Sequence, residues 1–126
     1  MKTEVAFYRC EVCGNIVELI KNGGGKLVCC GKPMIKLEAN TVDASQEKHV
    51  PAATRKDEKI YVDVGSVIHP MLDKHYIEWI AIVTNNSIER VSLSPGDEPK
   101  AVFCEKAENA DVYAYCNLHG LWKANV

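Results

Sequence analysis

The sequence predicts a mainly β protein in two parts: a small metal-bound N-terminal domain, residues 1–38, followed by an antiparallel β-sandwich, residues 39–126. Three observations lead there. Short segments of alternating apolar residues recur along the chain, punctuated by Asn, Gly and Pro turn signals. Cysteines crowd near the start, at Cys10, Cys13, Cys29 and Cys30. No stretch offers an amphipathic helix of several turns, and no internal repeat or low-complexity tract interrupts the pattern.

Taken in order, Met1-Lys2-Thr3-Glu4 leads into a short alternating segment and not into an apolar signal core. Residues 5–9 and 16–20 read as strands flanking the turn Cys10-Glu11-Val12-Cys13-Gly14-Asn15. Gly23-Gly24-Gly25 makes a loop before Leu27-Val28, which runs straight into Cys29-Cys30. So short a segment cannot bury a core of its own, and a bound metal is the usual remedy. Residues 38–48 are polar and aperiodic, which suits a linker or an active-site loop. In residues 59–64, Ile60, Val62 and Val64 share one face; Ile77, Trp79, Ala81 and Val83 form a second alternating set, with Glu78 opposite. Residues 87–93, 101–105 and 112–116 continue the series, with turns at Asn85-Asn86 and Pro95-Gly96-Asp97. Short strands with turns at this spacing predict an antiparallel sandwich.

Composition narrows the function classes. The 126 residues are 47% hydrophobic and 25% charged, with a net charge of −2. No run approaches the roughly 20 apolar residues of a membrane helix, and there is no basic surplus of the kind that marks nucleic-acid binding. A cytoplasmic protein with neither membrane nor nucleic-acid partners is expected. In a reducing compartment the six cysteines are metal ligands before they are disulfides.

Cys10-x-x-Cys13 and the adjacent pair Cys29-Cys30 make a four-thiolate set. Soft sulfur suits tetrahedral iron and zinc alike, so spacing alone leaves a zinc staple open beside an iron centre. Neighbouring cysteines cannot repeat the first pair's knuckle, and one angle at the metal should depart from tetrahedral. The remaining ligand-type residues form three islands: Glu47-Lys48-His49, His69 to His75, and Cys116-Asn117-Leu118-His119. All four histidines of the chain lie in them. Together the islands offer four imidazoles and one thiolate, more than a structural zinc needs. Four neutral imidazoles in a plane with an axial thiolate suit a redox-active iron with one open face, the thiolate pushing electron density toward whatever binds there.

The Cys-x-x-Cys and Cys-Cys set, Glu47-Lys48-His49-Val50-Pro51, the His69-Pro70-Met71 to Lys74-His75 segment and Cys116-Asn117-Leu118-His119-Gly120 together resemble desulfoferrodoxins, the two-iron superoxide reductases. The resemblance spans essentially the whole chain. It implies a desulforedoxin-like N-terminal domain with an iron held by four cysteines, an immunoglobulin-like sandwich bearing the catalytic iron, two iron ions per chain, and a homodimer. Carried over by residue, it makes His49, His69, His75 and His119 equatorial ligands and Cys116 the axial one. It makes Glu47 the carboxylate that can occupy the remaining position and Lys48 the cation beside the open face. The implied activity is one-electron reduction of superoxide to hydrogen peroxide in oxidative-stress defence, with re-reduction by an external rubredoxin-like donor. Lys74 can add to the local positive field. Cys104 belongs to neither motif and reads as a strand residue; Trp79 and Trp122 read as core aromatics. A pure electron carrier and a zinc-stapled binding module remain the rivals until the metals are known.

Overall fold

The computed structural model describes residues 5–126; the lead-in read at Met1 to Glu4 lies outside the described residues. The chain divides into two compact units between Glu38 and Ala39.

In the first unit, β1 (Ala6–Arg9) pairs with β2 (Ile16–Leu19) and, on its other edge, with β5 (Ile35–Lys36). A second small ladder joins β3 (Val28–Cys29) to β4 (Lys32–Pro33). Among the described residues of this unit only Phe7 and Cys10 are buried. That is too little apolar burial to hold the unit alone, as the sequence anticipates. The turn after β1 closes on itself: Gly14 N–H donates to the Cys10 carbonyl at 2.9 Å, and Cys10 N–H to the Asn15 carbonyl at 2.8 Å. Gly14 takes φ +82°, a left-handed conformation in which a side chain would be strained.

The second unit begins with a single helical turn, α1 (Gln46–His49), followed by β6 (Pro51–Lys56) and β7 (Lys59–Val64). Then come β8 (Ile77–Val83), β9 (Ile88–Ser92), β10 (Lys100–Cys104), β11 (Asp111–Cys116) and β12 (Gly120–Asn125). Two antiparallel sheets result, ordered β10-β7-β6 and β12-β11-β8-β9. This three-on-four arrangement is the antiparallel sandwich that the strand pattern predicts, in the immunoglobulin-like form that the family resemblance implies. The core lies between the sheets: Ile60, Val62 and Val64 from β7 and Phe103 from β10 meet Ile80 and Ile82 from β8 and Val112 and Ala114 from β11.

The alternation in β7 matches the sequence reading residue for residue, whereas β8 corrects it. Its core-facing residues are Ile77, Ile80 and Ile82, and Trp79 stacks instead on Tyr115 at 5.7 Å. The cause is an irregularity in the β8–β11 ladder, where Tyr115 pairs with Trp79 but Cys116 pairs with Ile77. Glu78 is the extra residue, and a one-residue bulge flips the faces beyond it. Strands β6 and β12 leave no clear mark in the sequence, because neither alternates cleanly. The β6–β7 hairpin also hides its turn: Asp57 and Glu58 hold φ 53° and 62°, values that usually call for Gly or Asn.

Candidate metal centres

The four N-terminal cysteines come together with their sulfurs within 4.8 Å of one another. Cys13 Sγ lies 3.6 Å from Cys29 Sγ, and Cys29 Sγ lies 3.9 Å from Cys30 Sγ. Those separations exclude disulfides, whose sulfurs sit about 2.05 Å apart. They bracket the roughly 3.8 Å expected between thiolates placed tetrahedrally about 2.3 Å from one metal. Cys30 takes φ 53°, a left-handed backbone that turns the adjacent thiolate back toward the same centre. The electrostatics point the same way. The Cys13 N–H, 3.5 Å from Cys10 Sγ, pulls the Cys10 thiol down to about 6. Contact with Cys13, then with its other sulfur neighbours, pushes Cys30 up to about 12. Cys10 gives up its proton readily while Cys29 and Cys30 resist, so the set ionises together only around a cation.

The second cluster gathers at one end of the sandwich because the strand ends that carry it are neighbours there. Pro51 pairs with Val64, which brings His49, at the end of α1, beside the loop that follows β7 and carries His69. Cys116 pairs with both Ile77 and Gly120, which brings the end of β11 beside His75 and the turn carrying His119. Donor atoms of His49, His75, Cys116 and His119 lie within 4.8 Å of one another. His69 joins through His49, their Nε2 atoms 3.1 Å apart.

Hydrogen bonds fix which nitrogens face inward. His49 Nδ1 donates to the Ser45 carbonyl, and His69 Nδ1 to the Pro70 carbonyl, each at 2.6 Å. A carbonyl has no proton to give, so both protons sit on Nδ1 and both Nε2 atoms present lone pairs. The lone pairs of His49 and His69 therefore face each other at 3.1 Å with no proton between them. His119 Nδ1 stands 3.1 Å from His49 Nε2 and 3.8 Å from Cys116 Sγ. His75 Nε2 is buried and has no hydrogen-bond partner among the described residues. The facing lone pairs of His49 and His69 repel each other unless a cation sits between them. Four nitrogens and one sulfur fit iron better than a four-coordinate structural zinc.

The protonation states agree. Burial lowers His49 and His75, and lowers His69 to about 4, so these rings are neutral donors at pH 7. Burial pushes the Cys116 thiol up, opposed by the Leu118 and His119 backbone N–H groups, so this thiolate needs a cation to persist.

Glu47 and Lys48 are exposed on α1, directly before buried His49. The Lys48 ammonium adds to the lowering of His49 and His75 that burial chiefly causes. The Glu47 carboxyl is held below its ordinary value, chiefly by its own backbone N–H. Two residues the sequence did not assign support these groups. Gly65 lies under α1, where an added Cβ would meet the Glu47 carbonyl oxygen at 2.6 Å and that of Val50 at 2.9 Å. Trp122, read as a core aromatic, is buried as expected but also stacks on His49 at 5.0 Å and donates its indole N–H to the His119 carbonyl at 3.1 Å. Its place three residues after His119 is the one signal of this in the sequence. Cys104 is exposed at the end of β10 and belongs to neither cluster.

A metal-stapled N-terminal unit and a sandwich with a histidine–cysteine centre define a two-centre metalloprotein. Residues 2–37 match the model of the desulfoferrodoxin N-terminal domain, and residues 41–125 that of desulfoferrodoxin. The chain belongs to the desulfoferrodoxin family. It is 52% identical over 117 residues to a desulfoferrodoxin homolog of Archaeoglobus fulgidus, covering 93% of this chain and 94% of that one. It is 35% identical over 112 residues to a superoxide reductase of Pyrococcus abyssi, covering 74% of this chain and 97% of that one. The crystal structure of the superoxide reductase from Treponema pallidum superposes with a TM-score of 0.77 at 30% identity, covering 96% of this chain and 98% of that one.

Proposed function

We propose that this chain is a superoxide reductase that holds two irons, one at the four-cysteine cluster and one at the histidine–cysteine cluster. Superoxide, one electron and two protons give one hydrogen peroxide. The observation that carries the reading is the gathering of four imidazoles and one buried sulfur, with the unprotonated Nε2 atoms of His49 and His69 facing each other at 3.1 Å. His49, His69, His75, His119 and Cys116 would hold the iron, which when ferrous would supply the electron.

The chain's own residues do the rest. His49 and His69 are locked in their ligating tautomers by the Ser45 and Pro70 carbonyls. Cys116, at the buried end of β11, is the thiolate that raises electron density at the centre. Lys48 attracts the anionic substrate, an effect that weakens with salt. With iron bound, Glu47, exposed on α1 two residues before His49, would offer it a hard oxygen donor. The electron is replaced from outside by a rubredoxin-like donor, and the protein works as a homodimer. The reaction belongs to the cytoplasm, where cysteines remain thiols. No described helix is long and apolar enough to cross a membrane. Residues 1–38 form the desulforedoxin-like domain and residues 39–126 the catalytic one.

Mixing the reduced, iron-loaded protein with pulse-generated superoxide tests this. One hydrogen peroxide per superoxide, with no oxygen evolved, is the expected result. Oxygen evolution would mean dismutation, and no consumption of superoxide would reduce the chain to an electron carrier.

A further inference from the structure

Between Tyr115 and Cys116 the β11–β8 ladder shifts register, and the strands part just where the donor residues begin. Asn117 takes over there. Its backbone N–H donates to the Tyr76 carbonyl at 3.2 Å. Its side-chain Oδ1 accepts the Tyr76 N–H at 2.9 Å, and its Nδ2 donates to the Lys74 carbonyl at 3.0 Å. The side chain's orientation is unambiguous, because an N–H can meet only the oxygen and a carbonyl only the nitrogen. One carboxamide therefore stands in for a strand's peptide group and grips both flanks of His75. The N–H and carbonyl of His75 are themselves taken by Leu72, at 3.1 and 2.9 Å. Along the chain Asn117 follows Cys116, the last residue of β11, and precedes His119 by two residues.

We propose that Asn117 is a positioning residue for the histidine–cysteine centre: its carboxamide locks His75 to the Cys116–His119 segment and so sets the spacing of three of the five donors. The inference rests on reading this cluster as an iron centre. Groups that orient metal ligands from behind commonly change metal affinity on the order of 10- to 100-fold when removed. Asp would not substitute, since its second oxygen would face the Lys74 carbonyl and repel it.

The test compares Asn117→Ala and Asn117→Asp with Arg55→Ala in the full-length, iron-loaded protein. Arg55 also spends its side chain on two carbonyls, those of Glu108 and Val126, but on β6 well up the strand from Pro51. Iron retention against a chelator and the ferric absorption band are read alongside thermal stability. Both Asn117 variants are expected to lose iron from the histidine–cysteine centre about tenfold faster or more, with a shifted ferric band and an undisturbed spectrum of the four-cysteine centre. Arg55→Ala should change thermal stability alone. Asn117→Asp keeps the side-chain volume and the Tyr76 bond, so it reports even where Asn117→Ala does not accumulate as folded protein. Wild-type retention and an unmoved band in Asn117→Asp would overturn the proposal. A parent protein with no iron at this centre would overturn the proposed function with it.

Discussion

At the residue scale, the proposed function divides the work between Lys48, which would attract the anion, and the histidines, which would ligate iron. Lys48 holds no donor in either cluster, and its charge adds to the lowering of His49 and His75 that burial chiefly causes. Lys48→Ile should therefore slow the second-order reaction with superoxide about tenfold, for a lost attraction on the order of 1.4 kcal/mol. It should flatten the salt dependence and leave the iron content unchanged. An unaltered rate and salt slope in mixing experiments would remove Lys48 from the mechanism. The histidines carry a pH signature in the metal-free protein. Burial holds His49, His69 and His75 below 6.5 in the folded chain, His69 at about 4, so the unfolded chain takes up protons that the folded chain refuses. Stability is full above about pH 6.5 and is lost as pH falls toward about 4. Thermal melts of chelated protein between these limits measure the slope, and a flat profile would contradict the buried, neutral rings.

At the element scale, the single turn α1 has little to hold it except what lies beneath. Ser45 precedes it without a capping hydrogen bond from its side chain. Its anchorage is the Glu47 carbonyl, which accepts the Val67 N–H at 2.8 Å and the Ser66 hydroxyl at 3.2 Å, over the close approach of Gly65. Gly65→Ala pushes a methyl group into two carbonyl oxygens. The expected cost is about 1–3 kcal/mol by analogy with overpacked cores, together with a slower superoxide reaction as Glu47 and Lys48 move. A melting temperature and rate equal to the parent's would show that α1 shifts without consequence. The same scale explains what the sequence concealed. Residues 38–48 lack periodicity, and one helical turn cannot display any, so the sequence reads α1 as a linker or an active-site loop. In β8, a bulge placed by pairing with β11 reverses the faces of Trp79 and Ile80.

At the scale of the whole molecule, the two units depend on their metals differently. The N-terminal unit buries Phe7 and Cys10 and little else among its described residues, whereas the sandwich has a core drawn from both sheets. Cys13→Ser should therefore lose the iron of the four-cysteine centre and loosen residues up to Glu38, while the other iron and superoxide reduction persist. Metal analysis and hydrogen exchange measure both effects, starting from two irons per parent chain. Loss of activity with the second iron still bound would instead make the N-terminal centre an obligatory relay.

The sequence by itself determined the chemistry: which residues can ligate, their grouping into a thiolate set and three islands, and the alternating strands that bury Ile60, Val62 and Val64. These are local properties, carried by residue type and by spacing along the chain. Only the tertiary structure decided that islands up to 70 positions apart would meet, as His49 and His119 do at 3.1 Å. It also decided that backbone carbonyls would choose the histidine tautomers, and that Gly65, Asn117 and Trp122 would stand behind the donor residues. Those facts depend on which strand ends are neighbours, and a neighbour across a sheet leaves no periodic mark in the sequence of either strand.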